Sequence, residues 1–254
     1  MIKIKNNKIN LYTKYTNSDK DKFINKKIGE NFQNLENQVY KIIKNKIIYH
    51  EIKPGERIID KNIAEELGVS RSMVRQVLTI LAKEELLTMV PRNGFYVRKI
   101  DKREIEEIYN VRSVLEGYAV KLTVPKISEK KIDQLELIFN KAKKDLGKNK
   151  VNGFIKTDEQ LHKMLIDDCG NNYLKKIINR YNNQYIFFRV VDLSRIERAE
   201  ESYFEHYEIF KAVKNRNTEL SSKLMEEHII NAKNIILANF DKYMYGKTIN
   251  IENV

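Results

Sequence analysis

The chain of 254 residues holds a single cysteine, Cys169. That excludes a disulfide framework, and such sparing use of thiols suits a reducing cytosol. No apolar run approaches the roughly 18 residues that a membrane span needs, so no membrane association is expected. The opening segment, MIKIKNNKINLYTKYTNSDK, lacks the continuous apolar stretch of a secretory signal. A soluble, cytoplasmic protein is therefore expected. There is no HExxH, no nucleophile motif and no phosphate-binding glycine loop, which leaves an enzyme reading without its usual residues. No internal repeat or sustained heptad is present, so a solenoid or a long coiled coil is not indicated.

What the chain does carry is charge and apolar bulk. Hydrophobic residues make up 42% of it, enough for a sizeable core, and the net charge is +12. A basic balance of this size points to a polyanionic partner, nucleic acid or an anionic membrane surface. Residues 1–34 are rich in Lys and Asn without sustained periodicity. They read either as a mobile arm or as a basic extension that follows phosphates, with NKINLYTKY as a candidate short strand.

From Leu35 the pattern turns helical. Leu35, Val39, Ile42, Ile43 and Ile47 share one face, and His50 falls near the helix end as a surface residue. Pro54–Gly55 marks a turn. A short helix follows, with Asp60 as its N-cap, Ile63, Ala64 and Leu67 inward, and Gly68 at its end. Ser70 can cap the next helix, whose buried stripe is Val74, Val77, Leu78 and Leu81. Arg71, Ser72, Arg75, Gln76 and Thr79 fall on its opposite side. LLTMVPRNGFYVRKI then reads as strand, Asn93–Gly94 turn, strand, since both turn residues tolerate positive φ.

Two helices, a tight turn and a hairpin make a winged helix-turn-helix over 35–100. Its second helix enters the major groove, N-terminal residues nearest the bases. Arg71, Ser72, Arg75 and Gln76 hold that position, where arginine can fork onto guanine and Ser72 suits a phosphate. Arg92, beside Asn93 and Gly94 at the wing tip, can reach an adjacent groove. The alternative is a set of solvated charges on an ordinary helix.

These residues resemble the DNA-binding domain of GntR-type bacterial transcription regulators over about 36–98. The similarity lies in the PG turn, the run IAEELGVSRSMVRQVL and the step before the wing. It carries the family's DNA contacts over to Arg71, Ser72, Met73, Arg75 and Gly94, and to Lys61. Met73 stands where many members have Pro or Thr, Gln76 where Glu is common, and Glu85 where Gly is usual. The resemblance implies homodimers bound to palindromic sites.

Residues 101–245 show helical patterns at 101–124, 128–147, 152–168, 171–193, 198–215 and 217–243, with Pro125 breaking the first. Residues 246–254 form a tail. Six helices with short connections imply an all-α antiparallel bundle, so the chain is mainly α overall. Beyond His50, the histidines are His162, His206 and His228, one on each of three of these helices. Asp158 precedes His162 by four positions and shares its face. A bundle interior can bring three imidazoles and a carboxylate to one point and so hold a borderline metal. Each histidine taken alone is as well explained as a core or surface residue. Cys169 reads as a packing residue.

This half resembles the FCD effector domain of the fatty-acid-regulator (FadR) branch of the same family. The similarity rests on Arg112, Leu115 and Glu116, on Asp158 and His162, on Gly170–Asn171–Asn172–Tyr173–Leu174, and on EHYEIF and EEHII. It implies a divalent metal (Zn, Ni, Mn or Fe) on Asp158, His162, His206 and His228, helping to hold a small carboxylate effector. A branch without the metal binds acyl-CoA, and retention of all four residues argues against that branch. Arg112 can fork onto an effector carboxylate or pair with Glu116. Asn171 can line a pocket or cap a helix, and Arg189 is a further pocket candidate. The expected function is a ligand-responsive repressor that binds operator DNA as a homodimer. The rival readings are a metal-dependent hydrolase and a non-specific nucleic-acid binder.

Overall fold

Ser70 shows how closely the local chemistry dictates the first domain. Its hydroxyl accepts from the Met73 amide at 3.2 Å and so starts a helix whose inner residues Val74, Val77, Leu78 and Leu81 are completely buried. The computed structural model describes residues 28–148, 151–193 and 195–241. In chain order the elements are α1 (Ile28–Ile48), β1 (Arg57–Ile58), α2 (Asp60–Leu67), α3 (Arg71–Lys83), β2 (Leu87–Val90) and β3 (Gly94–Val97). There follow α4 (Lys102–Thr123), a 3-10 turn at Val124–Lys126, α5 (Glu129–Leu146), α6 (Val151–Asp167), α7 (Asn172–Asp192), α8 (Ile196–Lys214) and α9 (Thr218–Ala238).

Several local expectations are corrected. Helix α1 starts at Ile28, seven residues before Leu35, so part of the segment read as an arm is helical. The rest of that arm, with its candidate strand, and the tail at 246–254 lie outside the described residues. Asp60 is the first residue of α2 rather than its cap. Ile59 holds the cap position without a side-chain bond, because the Asp60 carboxylate reaches across to α3 instead.

The wing is a three-stranded antiparallel sheet in the order β1-β3-β2. β1 was not anticipated: two residues are too few to show alternation, and Arg57↔Tyr96 and Ile58↔Phe95 place it only through its partner. Val90 pairs with Gly94, so Pro91, Arg92 and Asn93 form the connection. The left-handed residues there are Arg92 (φ 63°) and Gly94 (φ 94°), not the Asn93–Gly94 pair. Glu85 also takes a left-handed backbone (φ 59°), which accounts for glycine being usual at that place. His50 is corrected as well: it is buried, at 6% exposure.

Apolar side chains from Val39 to Val97 make one core, and those from Ile100 to Phe240 another. In the second, Asp101 caps α4 by accepting from the Glu104 amide at 2.8 Å, and the helix gives way to the Pro125 turn. Helices α4 and α9 pack so closely at Gly117 that a Cβ there would lie 2.5 Å from Cγ of Glu226. Ser222 Oγ donates to the Gly117 carbonyl at 2.9 Å across the same contact. Phe139, Phe154, Tyr203 and Phe210 fill the middle of the bundle with edge-on and stacked rings. Cys169 is buried in a small cluster with Ala119, Ile166, Leu174 and Ile178. No helix of the described residues is long and apolar enough to cross a membrane.

Candidate nucleic-acid interface and candidate metal centre

Helix α3 separates its two faces cleanly. Arg71, Ser72, Arg75, Gln76 and Thr79 are exposed, as are Lys61 on α2 and Arg92 and Asn93 on the wing, while Gly94 is half-buried. Met73 departs from expectation. Its side chain is buried at 4% exposure within the core, so it packs α3 onto the domain instead of meeting a base. Lys61 lies 3.7 Å from Glu65 on its own helix. The two arginines share a partner: Asp60 Oδ1 accepts from Arg71 Nη2 at 3.0 Å, and Oδ2 from Arg75 Nη1 at 3.4 Å. Desolvation pushes the Asp60 carboxyl up, but the Arg71 guanidinium, the Lys61 amide and the Arg75 guanidinium outweigh it and lower its pKa.

Within the bundle, Asp158 and His162 on α6, His206 on α8 and His228 on α9 come together. All four are buried, and their candidate ligand atoms lie within 4.8 Å of one another. His162 Nε2 is 3.1 Å from His206 Nε2, and Asp158 Oδ1 is 3.4 Å from His206 Nε2. Each ring is held from behind. His162 Nδ1 meets Glu116 Oε2 at 2.5 Å, His228 Nδ1 meets Glu205 Oε2 at 2.6 Å, and His206 Nδ1 lies 3.5 Å from Ser202 Oγ.

Burial, together with the neighbouring imidazoles, drives His206 and His228 well below the usual histidine range, so both are neutral at pH 7. Burial opposes ionisation of Asp158, but its charged surroundings, the Arg189 guanidinium foremost, outweigh it and hold its pKa at about 2. Glu116 is likewise buried, and Arg112 and His162 keep it ionised. With Nδ1 of His162 and of His228 on carboxylates and that of His206 on a hydroxyl, Nε2 of His162 and of His206 meet beside the ionised Asp158 oxygen. Ring nitrogens and a carboxylate oxygen so placed span close to what one cation with bonds of about 2.0–2.2 Å bridges. The donor set therefore fits a divalent metal.

A small cavity adjoins this cluster, with Asp158, Ser202 and His228 in its wall. Arg112, Arg189 and Arg198 also line it. Arg112 Nε donates to Glu116 Oε1 at 2.6 Å, Arg189 Nη1 lies 3.0 Å from Asp158 Oδ2, and Arg198 Nε donates to Asp192 Oδ2 at 3.1 Å. Arg112 thus pairs with Glu116 and also lines the cavity. Asn171 does not line the cavity. Its Oδ1 accepts from the amides of Tyr173 and Leu174, each at 3.1 Å, so it caps α7.

The sequence left Glu205, Ser202, Arg198 and the second role of Glu116 unassigned. Glu205 stands beside His206 in the chain, yet its partner is His228 on another helix. Nothing in its spacing signals that.

Comparison with known proteins gives the arrangement its context. The profile of bacterial regulatory proteins of the gntR family matches residues 35–97, and that of the FCD domain matches residues 107–231. The HTH-type transcriptional regulator YdhC of Bacillus subtilis is 31% identical over 192 residues, covering 75% of this chain and 86% of that protein. The HTH-type transcriptional repressor RspR of Escherichia coli is 24% identical over 204 residues, covering 78% and 86% respectively. Among solved structures, E. coli McbR/YncC aligns with a TM-score of 0.70 at 22% identity, over 81% of this chain and 98% of that one, a likeness of fold. The family and these relatives are regulators and not enzymes. A winged helix with an arginine-bearing α3, followed by a helical bundle with a buried Asp/His cluster, is thus the build of a transcriptional regulator, and this chain belongs to the GntR family of bacterial regulatory proteins with an FCD domain as its second half.

Proposed function

We propose that this regulator is a repressor that binds palindromic operator DNA as a homodimer and responds to a small carboxylate metabolite in its helical half. The convergence of Asp158, His162, His206 and His228 beside a cavity walled by Arg112 and Arg189 carries the reading. Those four residues would hold a divalent cation, and nitrogen and oxygen ligands suit Zn, Ni, Mn or Fe. Such a cation supplies a Lewis-acidic point for a ligand oxygen. Arg112 and Arg189 supply planar forks that match a carboxylate. Arg71, Ser72, Arg75 and Gln76 face the major groove, with Arg92, Asn93 and Gly94 at the wing and Lys61 beside them.

The route between the halves runs along α6 and α1. Asp158 faces the cluster, while the next residue, Glu159, acts electrostatically on Lys44 of α1 and on Tyr49 just beyond its end. Helix α1 in turn packs against α3. An effector that favours one position of α6 therefore biases the placement of the reading helix, and with it the spacing of two half-sites.

Enrichment of bound duplexes from a randomised pool, with elemental analysis of the purified protein, tests this. A palindromic motif and about one metal per chain are expected, and His206→Ala should lose the metal while its winged helix stays folded. A pool that yields no motif, or equal metal in wild type and His206→Ala, would sink the reading.

A further inference from the structure

The two arginines expected to read DNA are not free in the unbound protein. One carboxylate holds both, Oδ1 on Arg71 and Oδ2 on Arg75, at 3.0 and 3.4 Å. The arginine side chains are 62% and 65% exposed, whereas that of Asp60 is only 16% exposed. The carboxylate is thus seated in the protein surface with two exposed cations drawn onto it. The sequence suggested a helix cap for Asp60, and the fold has given that place to Ile59.

We propose that Asp60 is a specificity-determining residue of the DNA-reading surface: it aligns Arg71 and Arg75 before binding and holds back their contact with phosphates. The inference rests on the assignment of those two arginines to DNA.

Two physical effects act together. A long arginine tethered at its head loses less freedom when it meets a base edge in a fixed geometry. A fixed negative charge among the arginines also repels phosphate, which carries a full charge, more than it repels the guanine edge, whose acceptors carry partial charge. Non-specific affinity comes almost wholly from phosphates, so the carboxylate weakens it more than it weakens sequence reading. Glu65 belongs to the same helix but pairs with Lys61 at 3.7 Å in an exposed position, and it touches neither reading arginine among the described contacts.

The test uses the full chain, a duplex enriched from a randomised pool by the wild type, and a scrambled duplex of equal length. Asp60→Asn keeps size and helix-start competence and removes the charge. Scrambled-duplex affinity should rise roughly threefold to tenfold, as release of two exposed ion pairs allows. The salt slope should steepen by about one, and the ratio of specific to scrambled affinity should fall. Asp60→Glu should restore both.

If Asp60→Asn leaves both affinities within twofold while Arg75→Ala abolishes selection, the arginines read DNA and the role of Asp60 is overturned. If Arg75→Ala leaves selection intact, the assignment of the arginines fails, and the proposal with it. Nitrogen relaxation at the arginine Nε–H groups of the free wild type needs no variant. Arg71 and Arg75 should be more restricted than Arg92, which has no ion pair among the described residues. Equal mobility at all three would overturn the proposal.

Discussion

Glu116→Gln is the most informative single change at the candidate metal centre. The side chain is 2% exposed and serves two groups: Oε1 accepts from Arg112 Nε at 2.6 Å, and Oε2 meets His162 Nδ1 at 2.5 Å. Glutamine keeps the shape but removes the charge that makes His162 a better electron donor at Nε2 and fixes its ring. Loss of such a supporting carboxylate typically weakens metal binding about 10–100-fold. The consequence for stability follows by mass action. At a zinc level about 1,000 times the wild-type Kd, binding stabilises the folded chain by about 4.1 kcal/mol. A hundredfold weaker site at the same zinc level gains only about 1.4 kcal/mol. At roughly 4 °C per kcal/mol for a bundle of this size, the zinc-induced rise in Tm should shrink from about 16 °C to about 6 °C. The metal-free variant should also melt lower, because Arg112 loses a buried counter-charge. Chelator competition gives the Kd directly, and paired melting curves separate the two effects. Unchanged zinc affinity with a lowered metal-free Tm would refute the argument, since Glu116 would then serve Arg112 alone.

Two further outcomes follow from burial and capping. Burial lowers the His50 pKa from 6.5 to about 4. The unfolded chain therefore takes up a proton there before the folded one does. The contribution is fully present above pH 6.5 and is lost as pH falls toward 4, by up to about 3 kcal/mol. His50→Asn, which tolerates the left-handed backbone at φ 58°, should flatten the melting profile over that window. A slope identical to wild type would show that His50 is solvated. Asn171→Ala removes two cap bonds and should cost about 1 kcal/mol in a denaturant melt, with metal and effector affinity unchanged; a loss of effector affinity at constant stability would return Asn171 to the cavity.

The sequence by itself determined the helices and the wing hairpin, because their causes are local. The stripe of Val74, Val77, Leu78 and Leu81, the hydroxyl of Ser70 and the break at Pro125 each act within a few residues of where they stand. It also supplied, in order, the ligand types Asp158, His162, His206 and His228. Where local signals compete, the reading slipped. Asp60 could cap its helix or pair across the turn, and the positive charge on α3 decided for pairing. Met73 carries an apolar side chain at the edge of the polar face, and packing drew it inward. His50 lies where a helix ends, and only the tertiary contacts bury it. The candidate metal centre depends still more on the fold. His162 and His206 are 44 positions apart in the chain yet 3.1 Å apart in space, and Glu116 reaches His162 across 46 positions. No periodicity encodes such distances. Helix packing sets them, with α6 held against both α8 and α4. The carboxylates then find the imidazoles because a buried charge or ring nitrogen left without a partner is costly. Which residues can bind was written in the chain. Which of them share a site, and which acids stand behind them, was settled only when the helices packed.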